Sequence, residues 1–483
     1  MIRRRAAATA LAAFLVLVGV ASTATNLVAP SRAGVRVRAV TANELKPPEC
    51  ASLDLEEIRV GGGGGGAGHA GLFLGTNGND RIIGGGDSDC IVAGAGDDDI
   101  NAGGGPDICI GGPGTDTFKN CEVQYPIAGR RLALSPADGE NAVMPRSLVI
   151  VDVGAIRDNA RALTRVLGRS ELWAVVKADG YGHGAADAGR AALDGGATTL
   201  CVATVGEALV LRVELPDARV VVLGPTAPED VVAAREARLE LTVPDQPVPE
   251  GVPVHLKLDS GMGRWGLGEL PQPGTSVVGL MTHFATAGTD SAFAEEQLGR
   301  FLAATAAYDG RVTRHAANSA AALTLPASRL DAARCGIALY GIDPLGADPA
   351  RFGLRPALRW ESELAQVRRL RPGESTGYNR RFMATEETLI GIVPVGYADG
   401  FRRDMSGAEI LVAGARATVV GAVSMDALAV RLDVQAERGA PVTLVGDGVT
   451  FEQHAAVADT IGYELACGIR VVPGRAERKV VDA

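Results

Sequence analysis

Between Gly75 and Lys119 the chain repeats itself every nine residues, and few folds accept such a period. The five units read GTNGNDRII, GGGDSDCIV, AGAGDDDIN, AGGGPDICI and GGPGTDTFK. Position six is aspartate in each: Asp80, Asp89, Asp98, Asp107 and Asp116. Position eight is Ile82, Ile91, Ile100, Cys109 or Phe118. Glycine-rich half-repeats turn through positive φ at little steric cost. Each short strand then sends one apolar side chain inward, so the units stack as a roll. Stacking brings the aspartates and turn carbonyls together, the oxygen-only surroundings a hard cation such as Ca²⁺ takes. Ca²⁺ is expected on these five aspartates, and without it their mutual repulsion should disorder the segment.

The repeat resembles the calcium-binding β-rolls of secreted RTX-type proteins. Two other features fit export. The start, MIRRRAAATALAAFLVLVGVASTATN, has a positive head, an apolar run and small residues at 22–24, the layout of a signal segment over residues 1–24. Cys50, Cys90, Cys109 and Cys121 form an even set in or beside the repeat, consistent with disulfides in an oxidising compartment; spacing leaves their connectivity open. Residues 25–74, with the run Gly61–Gly66, read as linker, and so do residues 122–146. A net charge of -10 argues against a nucleic-acid partner.

From Ser147 the texture changes. Short apolar runs alternate with helical patterns: LWAVVK, TLCVAT, VVVLG, LELTV, VHLKLD, VVGLMTHF, VTRHAANS and CGIALYG. Fully apolar strands separated by helices mean a parallel sheet covered on both faces. Eight of them predict an (α/β)8 TIM barrel over residues 147–353. The connections near 244–253 and 267–276 are too short for a helical crossover, so two outer helices should be missing and barrel surface left to be shielded. Residues 354–483 read as strands and turns, a separate β-rich domain.

Lys177, in VVKADGYGHG, ends the first barrel run, where barrel enzymes place their chemistry. A lysine half-buried there loses basicity and can react as a neutral amine. It is one of only five lysines in the chain, which makes an arbitrary surface charge less plausible. A salt-bridged strand end is the bland alternative for this stretch alone.

VVKADGYGHG, HLKLDSGMGRWG, LMTHFATA, HAANSAA, RCGIALYG, VPVGYADGFRR, GAVSMD and IGYELACGIRVVPGR resemble, in order, the successive motifs of alanine racemases. That resemblance implies pyridoxal 5'-phosphate as cofactor, alanine as substrate and a head-to-tail homodimer whose sites join one barrel to the partner's β domain. It implies that Lys177 holds the cofactor and serves as base on one face of the substrate, with Tyr397 of the other subunit as the opposite base. Tyr181, Ser319, Tyr463 and the backbone of Gly336 and Ile337 match the phosphate cradle. Arg334 and His283 match the network around the ring nitrogen and the phenol. Arg264 would bind the substrate carboxylate, with Met425 from the partner nearby. Lys257 matches a lysine that many relatives carry as a carbamate, and here it stands open between carbamate and plain lysine. His255 and His315 read as structural histidines. Three further readings stay open: a broader small-amino-acid racemase, an exported calcium-dependent scaffold whose racemase part no longer turns over, and a cytosolic racemase with a falsely extended start.

Overall fold

A computed structural model describes residues 42–46, 50, 52–60, 70–76, 79–94, 96–111, 115–125 and 146–483, save 246, 273, 309, 311 and 473. The proposed signal segment lies outside the described residues. The chain forms two compact units, residues 1–139 and 140–483.

In the first unit the nine-residue period becomes a roll of two parallel sheets. One carries Glu57–Val60, Gly71–Leu74, Cys90–Val92, Ile108–Ile110 and Val123–Tyr125; the other carries Arg81–Ile83, Asp99–Asn101 and Thr117–Lys119. Successive repeats alternate between the sheets, so neighbours in a sheet are two repeats apart, as in Leu72 beside Cys90 beside Ile108. Ile82, Ile91, Ile100 and Cys109 fill the interior, with Phe118 packed against them. The roll is longer than the repeat: Glu57–Val60 and Gly71–Leu74, read as linker, are its first strands, and Val123–Tyr125 is its last. These strands lack the repeat's aspartate, so the period did not mark them. Disulfides join Cys50 to Cys90 and Cys109 to Cys121.

The second unit holds a closed barrel of eight parallel strands. They are β1 (Glu171–Val175), β2 (Ala197–Val202), β3 (Val220–Val222), β4 (Glu240–Val243), β5 (Val254–Lys257), β6 (Val277–Met281), β7 (Thr313–His315) and β8 (Ala332–Cys335). The last apolar run divides differently from its sequence reading. Its strand ends at Cys335, and Ile337–Tyr340 is a 3₁₀ turn.

Among the described residues no helix joins β4 to β5 or β5 to β6, as the short connections required. The flank is nevertheless closed, contrary to the expectation of uncovered surface. Strand β5 is buried throughout, because the two loops lay Val252 and Leu267 into the core and pack Val248 and Leu270 against it. The Tyr308 hydroxyl donates to the carbonyl of Pro271 and pins the second loop.

The C-terminal domain is built on a nine-stranded sheet. Ser147–Asp152, assigned to the barrel from sequence, belongs to this sheet, between Leu358–Glu363 and Ala476–Val481. The first and last strands of this unit thus lie side by side. Asp152 then caps the helix Val153–Leu167 by accepting from the Ala155 N–H at 3.0 Å.

Candidate active site

Lys177 follows β1 and opens a tight turn. Ala178, Asp179, Gly180 and Tyr181 all have φ between 52° and 62°. Such left-handed backbone is costly for side-chain-bearing residues and collects at functional sites. The turn half-buries Lys177 and swings Tyr181 back under the barrel rim. Burial, then Arg264 and Arg334, lowers the Lys177 amine from its ordinary value, so more of it is neutral.

Beside it lies a cradle. The Gly336 N–H donates to Ser319 Oγ at 3.0 Å. A Cβ on Gly336 would lie 2.4 Å from the Tyr181 hydroxyl oxygen, so a side chain there would displace that phenol. The rings of Tyr181 and Tyr463 are 6.1 Å apart, and burial pushes both phenols up, keeping them protonated donors. Ile337 opens the 3₁₀ turn at the same point. Two phenol hydroxyls, a serine and backbone N–H groups without a carboxylate are a set suited to a phosphate.

Arg334 is buried in the barrel, and its two terminal nitrogens are held by five bonds. It donates to His315 Nδ1 at 2.8 Å, to His283 Nδ1 at 3.3 Å and to the carbonyls of Thr282, His315 and Ala316. Burial and Arg334 hold His283 well below the ordinary imidazole range, so it accepts as a neutral ring.

Sequence reading missed what lies behind Arg334. His315 Nε2 and His255 Nδ1 are 2.9 Å apart, and His255 Nε2 is 2.8 Å from Glu240. Arg219 binds the same carboxylate through two bonds, at 2.7 and 2.9 Å. The direction of this relay follows from its ends. Arg334 only donates, so His315 carries its proton on Nε2 and gives it to His255, which donates to Glu240. Burial opposes ionisation of Glu240, but the bonds from His255 and Arg219 outweigh it and hold the carboxyl down to about 2. Glu240→Gln should therefore lower the unfolding free energy by about 2–3 kcal/mol, read as a drop in the urea midpoint.

Arg264 stands on the loop after β5, exposed, while Lys257 at the end of β5 is buried. Tyr397 and Met425 form a second group on the C-terminal domain. The Ala398 N–H donates to the Met425 carbonyl at 3.0 Å, and a Cβ on Gly396 would lie 2.4 Å from that oxygen. Both side chains face outward, as a residue offered to another subunit must. The structure thus brings together Lys177, the cradle, Arg334, His283 and Arg264 on the barrel rim, and places Tyr397 and Met425 on the β domain.

Comparison with known proteins agrees with this geometry. Residues 151–344 match the alanine racemase N-terminal domain, and residues 357–478 match the C-terminal domain. An alanine racemase of Levilactobacillus brevis is 38% identical over 356 residues, covering 66% of this chain and 94% of that protein. The crystal structure of alanine racemase from E. faecalis aligns with a TM-score of 0.64 and 35% identity, covering 70% of this chain and 98% of that one. That from Streptomyces coelicolor aligns at 0.63 and 36%. The chain belongs to the alanine racemase family.

Its N-terminal unit has no place in that alignment. Residues 74–109 and 88–118 match the RTX calcium-binding nonapeptide repeat. In this racemase-family chain the repeat aspartates form ladders. The N–H groups of Asp80, Asp89 and Asp98 donate to Asp98, Asp107 and Asp116 respectively, at 2.8, 2.7 and 3.1 Å. Glu122 takes the final rung, accepting from the Asp107 N–H at 2.8 Å. The buried Oδ2 atoms of Asp98 and Asp107 have no hydrogen-bond partner. Burial, with Asp89 and Glu122 nearby, pushes Asp107 up to about 6. A cation would relieve both. Among the described residues no three His, Cys, Asp or Glu side chains converge on one metal position, so backbone oxygens would have to complete its shell.

Proposed function

We propose that this chain is a pyridoxal-phosphate-dependent racemase that interconverts L- and D-alanine as a homodimer. One observation carries the reading: a lysine of lowered basicity shares a barrel rim with a phosphate-sized cradle and an exposed arginine. The relatives named above support it.

The cofactor, when bound, withdraws electrons from the carbon beside the substrate's amino group and acidifies its hydrogen. The chain's own residues do the rest. Tyr181, Ser319, Tyr463 and the backbone at Gly336 and Ile337 would hold the phosphate. Lys177 would hold the cofactor through its amine and work on one face of the substrate carbon. Arg334, its terminal nitrogens fixed by five bonds, would serve the ring nitrogen. Arg264 receives the substrate carboxylate, two N–H groups to two oxygens. A phenol of the partner subunit serves the other face. One base takes a proton, the other returns one, and the centre inverts.

For that phenol the motif reading nominates Tyr397. Tyr378, 67% exposed against 39% for Tyr397, is the alternative phenol, but Arg381, Arg402, Arg403 and Arg470 line the cleft of Tyr397. Incubation with pyridoxal phosphate and L-alanine, followed by chiral analysis, should approach equal amounts of the two enantiomers. No D-alanine from cofactor-loaded dimer overturns the reading and leaves the scaffold alternative.

We further propose that the roll binds Ca²⁺ and that the chain is exported. The unpartnered Asp98 and Asp107 oxygens support the first claim, and the two disulfides support the second. Calcium at a hundredfold excess over its Kd should stabilise the roll by about 2.7 kcal/mol per site. Thermal unfolding of the full chain followed by circular dichroism, with and without chelator, measures it. An unmoved roll transition removes calcium from the proposal.

A further inference from the structure

The loop after β5 is shaped by three contacts. The Leu267 N–H donates to the Lys257 carbonyl at 2.7 Å, and the Asp259 N–H donates to the Leu267 carbonyl at 3.0 Å. The Asp259 carboxylate accepts from the N–H groups of Gly261, Met262 and Gly263, at 2.9, 2.8 and 2.9 Å. Gly266 closes the loop: φ is 149°, and a Cβ there would lie 2.5 Å from the Asp259 nitrogen. The chain cannot spread at this point, so Arg264 and Trp265 are held at the tip.

Trp265 is 43% exposed, far more than a tryptophan placed for packing alone. Its ring faces two cations. Arg264 Cζ lies 5.0 Å from the ring centroid and Lys257 Nζ lies 5.3 Å away. Both distances are within the range of cation–π attraction. The two cations otherwise repel, since burial and then Arg264 lower the Lys257 amine to about 8. Asp259 attracts Lys257, but its oxygens are taken up by the three backbone donors. Among the described residues neither Lys257 nor Arg264 is paired with a carboxylate. The indole face is what both cations share.

We propose that Trp265 is a positioning residue, whose indole carries Lys257 and Arg264 together and so holds Arg264 ready for the substrate carboxylate. This rests on the reading of Arg264 as the carboxylate-binding residue. It gives Lys257 a role as a plain ammonium against the ring. A carbamate on Lys257 would instead hold Arg264 directly and make the ring dispensable.

Steady-state kinetics of the cofactor-loaded dimer test it. Trp265→Leu should raise KM for alanine about fivefold to tenfold, the worth of one cation–π contact, with a smaller change in kcat. Trp265→Phe, which keeps a ring, should recover most of the loss. An unchanged cofactor absorbance band shows that both variants are folded and loaded. Equal KM values for wild type and Trp265→Leu overturn the proposal, and so does a Phe variant no better than Leu. Arg264→Gln separates the two levels. If it raises KM while Trp265→Leu does not, only the role of Trp265 fails; if it leaves KM unmoved, the reading of Arg264 fails first.

Discussion

Replacing Lys177 with alanine should reduce racemisation by at least about 10⁴-fold, because one side chain supplies both the covalent attachment and one of the two bases. The phosphate cradle is separate from Lys177, so the variant should still bind cofactor, though it should release it on dialysis. Borohydride, which fixes cofactor to the wild-type lysine, should fix none in the variant. Lys177→Arg keeps the charge without the nucleophile and should fail equally. The pH dependence has a definite sign. The amine's pKa is lowered from 10.5, and only the neutral form attacks. Covalent uptake of cofactor by the empty protein should therefore rise with pH through a midpoint below 10.5 and then level off. Racemisation in Lys177→Ala above a hundredth of wild type would show that this strand end is not the attachment point.

Much of this was legible because the barrel strands are buried on both faces. A strand with no wet side reads as an unbroken apolar run, and every run from Leu172 to Val277 falls on a strand. The same logic misread CGIALYG, since a buried 3₁₀ turn is as apolar as a strand. It also missed the closed flank. Val252 and Leu267 lie in loops, and only a closed barrel shows what they cover.

The relay from Arg334 to Glu240 was illegible for a different reason. Glu240, His255, His315 and Arg334 sit on β4, β5, β7 and β8, separated by up to 94 positions. They meet only when the strands close and their inward side chains share the interior. A signal was present: VHLK and AARC place His255 and Arg334 inside fully buried strands, and a buried polar group needs a partner. In the roll, repeat position six located the aspartates but not Glu122, which enters the ladder three residues early.

Tyr397→Phe should cut racemisation by about 10²–10⁴-fold, while Tyr378→Phe should cost much less. Gly377, Asn379 and Arg380 all have positive φ, of 76°, 58° and 50°, and this strained turn thrusts Tyr378 outward. Bonds from Arg380 to Ser375 Oγ and the Gly373 carbonyl, both at 3.1 Å, hold the turn. Asn379 separates that phenol from Arg380 and Arg381, and adjacent cations are what a phenol needs to act as a base near neutral pH. Tyr397 lines a cleft with Arg381, Arg402, Arg403 and Arg470 as well as Asp404 and Glu464, and its backbone N–H is tied to the Ser424 carbonyl at 3.0 Å. Arg402 in that cleft is already paired with both carboxylates. Exchange in D₂O distinguishes a lost base from a damaged fold. A variant lacking only the partner's base keeps Lys177 working on one face, so it should still exchange the α-hydrogen of one enantiomer without producing the other. Such one-sided exchange in Tyr397→Phe assigns the second base to Tyr397. The same behaviour in Tyr378→Phe, with Tyr397→Phe near wild type, moves the role to Tyr378.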